Sequence, residues 1–358
     1  MKSSVPIARR RNTLSSSLGL GEKLFASSDE RRFVAAIEEG LQSVEAGLLG
    51  EMRFADEIAD VTSRYLLEAG GKRVRPVLTL LTAQLGDGNC PDVITAAQAI
   101  EITHLASLYH DDVMDEAQMR RGVPSAQNVW GNSVAILTGD LLFARASKII
   151  SGLGERALTL QANTFERLCL GQLHETIGPR PYEDPVEHYL QVLADKTGSL
   201  ISTAAEVGVI FSNASDDYVV PVRVFGEKVG VAFQLIDDVI DLSADAEVTG
   251  KLAGTDLRAG VSTLPLLYLR ELATSDGDAA ELLTRIERHV NASFYGEADD
   301  ADFAELVAEL RAHPVTTKTH DEAHRWAVEA VEALAPLPKG PVKKALTRFA
   351  ESIVERSN

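Results

Sequence analysis

Apolar residues recur along most of the chain at the spacing of an α-helix. Near the start, a first apolar face is formed by Phe33, Ile37, Leu41, Val44 and Leu48. Intervals of three and four residues place these side chains on one side of a helix. The same period returns in later segments rich in Ala and Leu, each interrupted by Gly, Pro or a cluster of Asp and Asn. No segment reads as a strand, so the pattern predicts an all-α protein.

Proline residues mark where two of these helices begin. Pro76 and Pro91 open apolar runs, and the run from Pro91 continues to about residue 116. Near the C-terminus the pattern predicts two more amphipathic helices, separated by a Pro/Gly turn. No fixed repeat, linker or change of composition divides residues 29–358, which predicts one large helical domain. Residues 1–28 are rich in Arg and Ser and predict a mobile tail; an organellar transit peptide is the alternative.

The bulk composition narrows the range of functions. Of the 358 residues, 45% are hydrophobic, which is enough for a large core. The formal net charge of -18 argues against nucleic-acid binding, because such binding depends on cations that displace phosphate counterions. Cys90 and Cys169 form no zinc or disulfide pattern, and no apolar run approaches the roughly 20 residues that span a bilayer. We expect a cytoplasmic protein without a transmembrane segment.

Aspartates gather at the ends of two apolar helical runs. The group in "YHDDVMDEA" is Asp111, Asp112 and Asp115, and the group in "FQLIDDVIDL" is Asp237, Asp238 and Asp241. The first and last members of each group are four residues apart and share a helical face, although stacked like charges weaken a helix. For a single group the alternative is a helix end that frays into solvent. Two groups that face each other would supply hard oxygen ligands from both sides, which suits Mg²⁺ shared with substrate phosphates.

A few basic residues are candidate partners for such phosphates. They are Lys72 and Arg75 in "GGKRVRP", Arg120 and Arg121 in "MRRG", Lys196 beside Thr197 in "DKTGS", and Lys251 in "TGKLAGTDL". Guanidinium forks together with ammonium groups suit a diphosphate. Each stretch by itself is more typical of a solvated basic face, and no Walker-type phosphate loop occurs.

The order of these motifs resembles that of the trans-isoprenyl diphosphate synthases, the polyprenyl synthetase family. The resemblance begins at about residue 30 and rests on "GGKRVRP", "HDDVMDEAQMRRG", "DKTGSL", "FQLIDDVID" and "GTDLRAGVSTLP". It implies an isoprenoid synthase fold, a single large helical bundle around a central cavity with both aspartate groups at its mouth. We also expect a homodimer, as is usual in the family, and a peripheral membrane contact for product release.

The resemblance further implies a Mg²⁺-dependent condensation of isopentenyl diphosphate with an allylic diphosphate. The implied ligands of the metal ions are Asp111, Asp115 and Asp237, with Asp112, Asp238 and Asp241 as further ligands or outer partners. The residues implied to hold the allylic diphosphate are Arg120, Lys196, Thr197, Gln234 and Lys251, and those implied to hold isopentenyl diphosphate are Lys72, Arg75, His104 and Arg121. Charge neutralisation makes the allylic diphosphate a leaving group, and the isopentenyl double bond attacks the allylic cation. The catalytic set is then Asp111, Asp115, Asp237, Lys196 and Arg120, without a covalent nucleophile.

The chain departs from the family pattern in two places. Val261, in "AGVSTL", stands where the family usually has a lysine, so one cation near the allylic diphosphate is missing. The family's common "GExxQ" segment appears as "GQLHE", which exchanges Gln172 and Glu175. We therefore assign neither of these two residues a catalytic role.

Small residues precede the first aspartate group along its helix. Ser107 and Thr103 lie one and two turns before Asp111, and Ala106 is next to Ser107. They would leave an open shaft for a growing chain, as in the medium- and long-chain synthases of this family. The expected product is an all-trans polyprenyl diphosphate for a quinone side chain, such as that of menaquinone. The alternative is that Ala106 and Ser107 only permit tight helix packing.

Other functions stay open at this point. A geranylgeranyl diphosphate synthase would make a shorter product with the same machinery. A class I terpene cyclase would share the fold but normally lacks the isopentenyl-binding motifs and has a different second metal motif. A non-catalytic subunit of a heteromeric synthase would usually have lost the aspartate groups, and both are intact here.

Overall fold

The computed structural model describes residues 27–243, 253–294 and 300–357. The first helices are α1 (Ser28–Glu51), α2 (Glu57–Glu68), α3 (Val74–Ala83), α4 (Pro91–Met114), α5 (Ala126–Trp130), α6 (Asn132–Ser151) and α7 (Glu155–Ile177). They are followed by α8 (Pro185–Leu193), a π-helical turn (Ala194–Gly198), α9 (Ser199–Phe211), a 3₁₀ turn (Asp216–Tyr218) and α10 (Val219–Asp241). The last elements are α11 (Thr255–Arg258), α12 (Leu264–Leu272), α13 (Gly277–Phe294), α14 (Asp300–Ala312), α15 (Pro314–Ala333), α16 (Pro341–Val354) and a 3₁₀ turn (Glu355–Ser357).

The chain divides into two compact units. The first unit runs to Glu166 and includes Leu200–Gly226 and Ala333–Phe349. The second unit consists of Arg167–Ser199, Glu227–Glu332 and Ala350–Asn358. The expectation of one domain over residues 29–358 stays a prediction. Within the described ranges, no helix combines the length and the apolar character needed to cross a membrane.

Helix α4 lies at the centre of the first unit. It packs against α1, α3, α5 and α6, and most of its side chains are buried on every side of the helix. In α1, a capping box between Ser27 and Glu30 begins the helix. The predicted apolar face of α1 is confirmed for four of its five members, whereas Leu41 is only partly buried and Gly40 is buried beside it.

In the second unit, α12 packs on α8 and α13, and α13 also contacts α11 and α14. Helix α8 begins at Pro185, and the carboxylate of Asp184 accepts hydrogen bonds from the backbone N–H groups of Val186 and Glu187. Helix α10 ends at Asp241, so the second aspartate group occupies the last two turns of that helix. Each aspartate group thus lies at the C-terminal end of a long helix.

Two predicted helix starts have different outcomes. Pro91 is the first residue of α4, and the helix ends at Met114, two residues before the predicted end. The prediction for Pro76 is wrong by two residues, because α3 already begins at Val74. Proline is tolerated there because the first-turn N–H groups of a helix have no intrahelical partner. The two predicted C-terminal helices are confirmed as α15 and α16.

The expectation that the chain contains no strand is wrong at one place. Met119–Arg120 pairs antiparallel with Val123–Pro124, with Arg120 opposite Val123. The two turn residues, Arg121 (φ 53°) and Gly122 (φ 78°), both have positive φ, as a tight two-residue hairpin of type I′ requires. Strands of two residues are too short for an alternating pattern. Gly122 was the one residue that could have indicated the hairpin, but Arg121 stands at the turn position where Asn or Asp is usual.

Candidate active site

The first aspartate group occupies the C-terminal end of α4. Asp115 is the exposed C-cap residue, and its N–H donates to the carbonyl of Asp111 at 2.8 Å. Asp111 is half-buried and Asp112 is fully buried. The C-terminal end of a helix carries partial negative charge, so acidic side chains here are unfavourable unless cations compensate them. The arrangement therefore favours a bound cation or a cluster of basic residues at this helix end.

Arg120 pairs with the buried member of this group. The Arg120 Nε donates to Asp112 Oδ1 at 2.6 Å. The other carboxylate oxygen, Oδ2, is buried and has no hydrogen-bond partner among the described residues. Burial raises the pKa of Asp112, although Arg120 opposes that shift. Asp112 therefore orients Arg120, and the β-hairpin carries this arginine back to the end of α4.

The Gly70–Gly71 turn between α2 and α3 accepts two arginine side chains. The carbonyl of Gly70 accepts hydrogen bonds from Arg73 and Arg121. A Cβ at Gly71 would lie 2.6 Å from Arg73 Nη1 and 3.0 Å from Arg121 Cζ, so a larger residue here would displace these guanidinium groups. The φ angles of Gly70 and Gly71, 107° and 148°, also favour glycine. The paired glycines therefore have a local structural purpose, which is to bring two cations close together.

Arg73 is a buried cation of the first unit and was not predicted from the sequence. It is 8% exposed. Its guanidinium group contacts Glu45 and lies 3.2 Å from Glu101 Oε1. Glu101 is buried and supplies a negative charge to the surrounding arginines. Arg73 is thus neutralised by two carboxylates, whereas the predicted cations Arg75 and Arg121 have no carboxylate ion pair among the described residues.

Three predicted residues, His104, Arg75 and Arg121, have pKa values that are shifted by burial and by neighbouring charges. Burial, followed by the charges of Arg75 and Arg121, lowers the pKa of His104 well below its usual value. Burial also lowers the pKa of Arg121 to about 10. The pKa of Arg75 is lowered by burial as well, although the charges of Glu101 and Asp111 oppose that shift. The Nε of Arg75 is buried without a hydrogen-bond partner among the described residues. A neutral imidazole beside clustered guanidinium groups is a suitable environment for an anion.

The second aspartate group is held by contacts within the second unit. Asp238 is 2% exposed, and the hydroxyl of Tyr189 donates to its Oδ2 at 2.7 Å. Burial raises the pKa of Asp238 well above its usual value, while hydrogen bonds from Tyr189 and the Leu264 backbone oppose this shift. Asp241 Oδ2 accepts a hydrogen bond from the Asp256 N–H at 3.0 Å. Asp237 is half-buried on α10.

Tyr189→Phe is expected to destabilise the protein by about 1–3 kcal/mol, because it removes a donor from a buried carboxylate. Urea unfolding of the variant and the wild type measures this loss. Tyr182→Phe is the control: Tyr182 is 77% exposed, and its substitution is expected to change the free energy of unfolding by less than about 0.5 kcal/mol. Equal effects of the two substitutions would contradict the assigned role of the Tyr189 hydroxyl.

Lys196 and Thr197 lie in the π-helical turn between α8 and α9. The ammonium group of Lys196 lies 2.5 Å from Glu175 Oε2 on α7. Thr197 is half-buried, and Gln234 is half-buried on α10, one turn before Asp238. Lys251 lies outside the described residues. The π-helical turn is wider than the α-helices on either side of it, a feature that often marks a functional segment of a helix.

The oxygen chemistry of both aspartate groups fits divalent metal ions. Asp111 and Asp115 are accessible carboxylates one turn apart, and the buried Oδ2 of Asp112 is a further donor atom. Within the described ranges, no three His, Cys, Asp or Glu side chains form a complete ligand set. Mg²⁺ usually takes one or two carboxylates and completes its shell with water and substrate phosphates. The residues therefore fit ions that are shared with a diphosphate.

The residues predicted to set chain length are all buried. The hydroxyls of Thr103 and Ser107 donate to carbonyls of their own helix, those of Ala99 and His104. Ala106 belongs to the core cluster with Ala135 and Leu142 of α6. A Cβ at Gly139 would lie 3.2 Å from the Ala106 carbonyl, so α4 and α6 approach closely here. This contact favours the packing alternative for Ala106, while the shaft at Thr103 and Ser107 stays a prediction.

Other side chains that were assigned no role from the sequence lie near the predicted residues. Glu175, which was assigned no role, pairs with Lys196, and Gln172 has a buried amide oxygen without a partner among the described residues. Arg356 in the last turn lies 3.4 Å from Asp237 and covers the ring of Phe233. Val261, at the position of the missing lysine, is 41% exposed. Arg356 belongs to no motif, so its contact with Asp237 could not be predicted from the sequence.

Similarity to known proteins agrees with this combination of helices, acidic helix ends and cations. The family described as polyprenyl synthetase matches residues 56–294. Nonaprenyl diphosphate synthase of Mycobacterium tuberculosis is 44% identical over 90% of this chain and 94% of that protein. The solved polyprenyl synthase of Caulobacter crescentus, complexed with calcium and isoprenyl diphosphate, has a TM-score of 0.80 and 30% identity over 93% of this chain and 99% of its own.

A solved geranylgeranyl pyrophosphate synthase of Corynebacterium glutamicum, complexed with calcium and isoprenyl diphosphate, has a TM-score of 0.78. It is 36% identical over 93% of this chain and 99% of its own. The protein is therefore a predominantly helical prenyltransferase with the isoprenoid synthase fold. The chain belongs to the polyprenyl synthetase family, whose members use divalent metal ions and act on isopentenyl and allylic diphosphates.

Proposed function

We propose that this protein is a Mg²⁺-dependent trans-polyprenyl diphosphate synthase that condenses isopentenyl diphosphate with an allylic diphosphate. The observation that carries the proposal is the pair of complete aspartate groups, each at the C-terminal end of a long helix and each with accessible carboxylates. Asp111, Asp115 and Asp237 would hold the metal ions, with Asp112, Asp238 and Asp241 as further ligands or supporting groups. Bound Mg²⁺ would neutralise the charge of the allylic diphosphate as it leaves.

The basic residues divide between the two substrates. Arg75, Arg121 and the neutral His104 form a partly enclosed cationic cluster, with Lys72 exposed beside it, and would bind isopentenyl diphosphate. Arg120, oriented by Asp112, would bind the allylic diphosphate. Lys196, Thr197, Gln234 and Lys251 are proposed for the same diphosphate. These side chains bind and orient the substrates, and no protein nucleophile takes part.

The proposed product is a medium or long all-trans polyprenyl diphosphate. Nonaprenyl diphosphate synthase has 44% identity to the chain, whereas the geranylgeranyl pyrophosphate synthase of Corynebacterium glutamicum has 36%. The small side chains of Thr103 and Ser107 before Asp111 support the longer product. A quinone side chain, such as that of menaquinone, is the proposed use of this product, and a cytoplasmic location with peripheral membrane contact is proposed with it.

We further propose a homodimer that forms through the first unit. Helices α2, α5 and α6 contact one another. Five large apolar side chains on these helices are exposed: Ile58, Val61, Val129, Ile136 and Leu137. A group of exposed apolar residues on adjacent helices is typical of an interface, and a second copy of the chain is its simplest occupant.

Incubation of the purified protein with Mg²⁺, isopentenyl diphosphate and farnesyl or geranylgeranyl diphosphate tests the proposal. Mass spectrometry is expected to show prenyl diphosphates longer than the primer, and a chelator is expected to abolish them. A product that stops at geranylgeranyl diphosphate would support the shorter-chain synthase. Hydrocarbon release would support a cyclase, and the absence of any product would support a non-catalytic subunit.

A further inference from the structure

One face of α7 supports the π-helical turn that carries Lys196 and Thr197. Arg167, Gly171 and Glu175 follow one another at intervals of four and therefore lie on the same side of α7. All three lie against residues of the turn Ala194–Gly198, and all belong to the second unit. The three contacts differ in kind, since one is a charge pair with Asp195, one is a close backbone approach and one is a charge pair with Lys196.

Arg167 joins the π-helical turn to α10. Its Nε and Nη2 both lie 2.8 Å from Asp195 Oδ1, and its Nη1 lies 2.8 Å from Glu227 Oε2. The Asp195 side chain is only 14% exposed, and its second oxygen accepts a hydrogen bond from Gln191 at 2.8 Å. Asp195 directly precedes Lys196 in the chain. Its position therefore limits where the next two side chains can point.

Two glycines allow the turn to lie close to its neighbours. A Cβ at Gly171 would lie 2.6 Å from the backbone nitrogen of Lys196, so α7 touches the backbone of the turn directly. A Cβ at Gly198 would lie 3.0 Å from the carbonyl of Glu227 on α10. The π-helical turn is thus in close contact with α7 at Asp195 and Lys196 and with α10 at its last residue, Gly198. Glu175, one turn after Gly171, holds the ammonium group of Lys196 itself.

We propose that Arg167 is a positioning residue for the allylic diphosphate, because its contact with Asp195 fixes the π-helical turn that presents Lys196 and Thr197. The inference depends on the proposed role of those two residues in binding that substrate. Arg167 does not touch the substrate. An arginine suits this position because its planar fork reaches Asp195 and Glu227 at the same time, whereas the single ammonium group of a lysine is a compact charge.

The test compares Arg167→Gln and Arg167→Lys with Arg285→Gln. The control breaks the 2.8 Å ion pair between Arg285 and Glu309 in the same unit, and the arginine side chains are 38% and 40% exposed. Arg167→Gln is expected to raise the KM for farnesyl diphosphate about tenfold or more, since small displacements of binding groups cost much in affinity and rate. The KM for isopentenyl diphosphate is expected to stay within about twofold, and Arg167→Lys to recover part of the loss. The control is expected to change neither constant.

A double-mutant cycle distinguishes positioning from general stabilisation. If Arg167 acts through Lys196, Arg167→Gln is expected to add little to the loss caused by Lys196→Ala, whereas independent roles would make the two losses multiply. Multiplying losses, or an equal rise in KM for both substrates, would overturn the inference.

Asp195→Asn breaks the same contact from the other side and decides the question if Arg167→Gln does not fold. A wild-type protein that forms no product would overturn the proposed function as well, whereas an active one with multiplying losses overturns this inference alone.

Discussion

Asp111→Asn is expected to lower kcat for chain elongation about 10³-fold, because the carboxylate serves to stabilise charge in the reaction. The fold is expected to survive, since Asp111 is only half-buried and its negative charge lies at the unfavourable end of α4. Asp237→Asn, at the end of α10, is expected to behave in the same way. Steady-state kinetics with farnesyl and isopentenyl diphosphate, together with thermal unfolding, measure both effects.

Glu116→Gln is the matched control for Asp111→Asn. Glu116 is exposed and follows the first aspartate group directly, but it belongs to neither the predicted ligands nor the predicted catalytic residues. The same loss of one negative charge is expected here to change kcat less than about twofold, because exposed charges interact weakly through water. Near-normal turnover of Asp111→Asn, or an equal loss in Glu116→Gln, would refute the catalytic assignment.

Ser107→Phe is expected to shorten the prenyl product while overall turnover stays similar. Ser107 lies one turn before Asp111 on the same face of α4, so a phenyl ring there would close the predicted shaft near the metal-binding end. Mass spectrometry of products made from isopentenyl and farnesyl diphosphate measures the change in length. Ser107→Ala keeps the position small and is expected to leave the product distribution unchanged.

Ala106→Phe separates this effect from disturbed packing. Ala106 is fully buried in the cluster that joins α4 to α6. An added ring there is expected to cost about 1–3 kcal/mol of stability through overpacking. If Ser107→Phe lowers the stability but leaves the product length unchanged, the predicted shaft is rejected. Ser107 then serves helix packing, as proposed for Ala106.

The helical architecture was predictable because periodicity is a local property of the sequence. The 3.6-residue pattern located α1, α15 and α16, and Pro91 marked the start of α4. The β-hairpin and the π-helical turn were missed, since each depends on a few backbone angles with no periodic signal. Arg121 adopts a positive φ that the sequence would normally reserve for Asn, Asp or Gly.

The sequence treats the three aspartates of each group alike, but the fold separates them. Asp112 and Asp238 are buried and accept hydrogen bonds from Arg120 and Tyr189, respectively. Asp111, in contrast, is only half-buried. Helical spacing alone shows which aspartates share a face. It does not show which face is covered by a side chain from a distant segment, as Tyr189 covers Asp238 from 49 residues away. Partners of this kind follow only from tertiary packing.

We propose that both aspartate groups act on the metal ions of one allylic diphosphate. Calorimetric binding of farnesyl thiodiphosphate, a slowly reacting analogue, to the wild type, Asp111→Asn, Asp237→Asn and the double variant tests it most directly. We predict binding that requires Mg²⁺, a loss of about tenfold or more in each single variant, and a double variant weakened by less than the product of the two losses. The proposal would be contradicted if the wild type bound the analogue equally well with and without a chelator. It would also be contradicted if the loss of affinity in the double variant equalled the product of the two single losses.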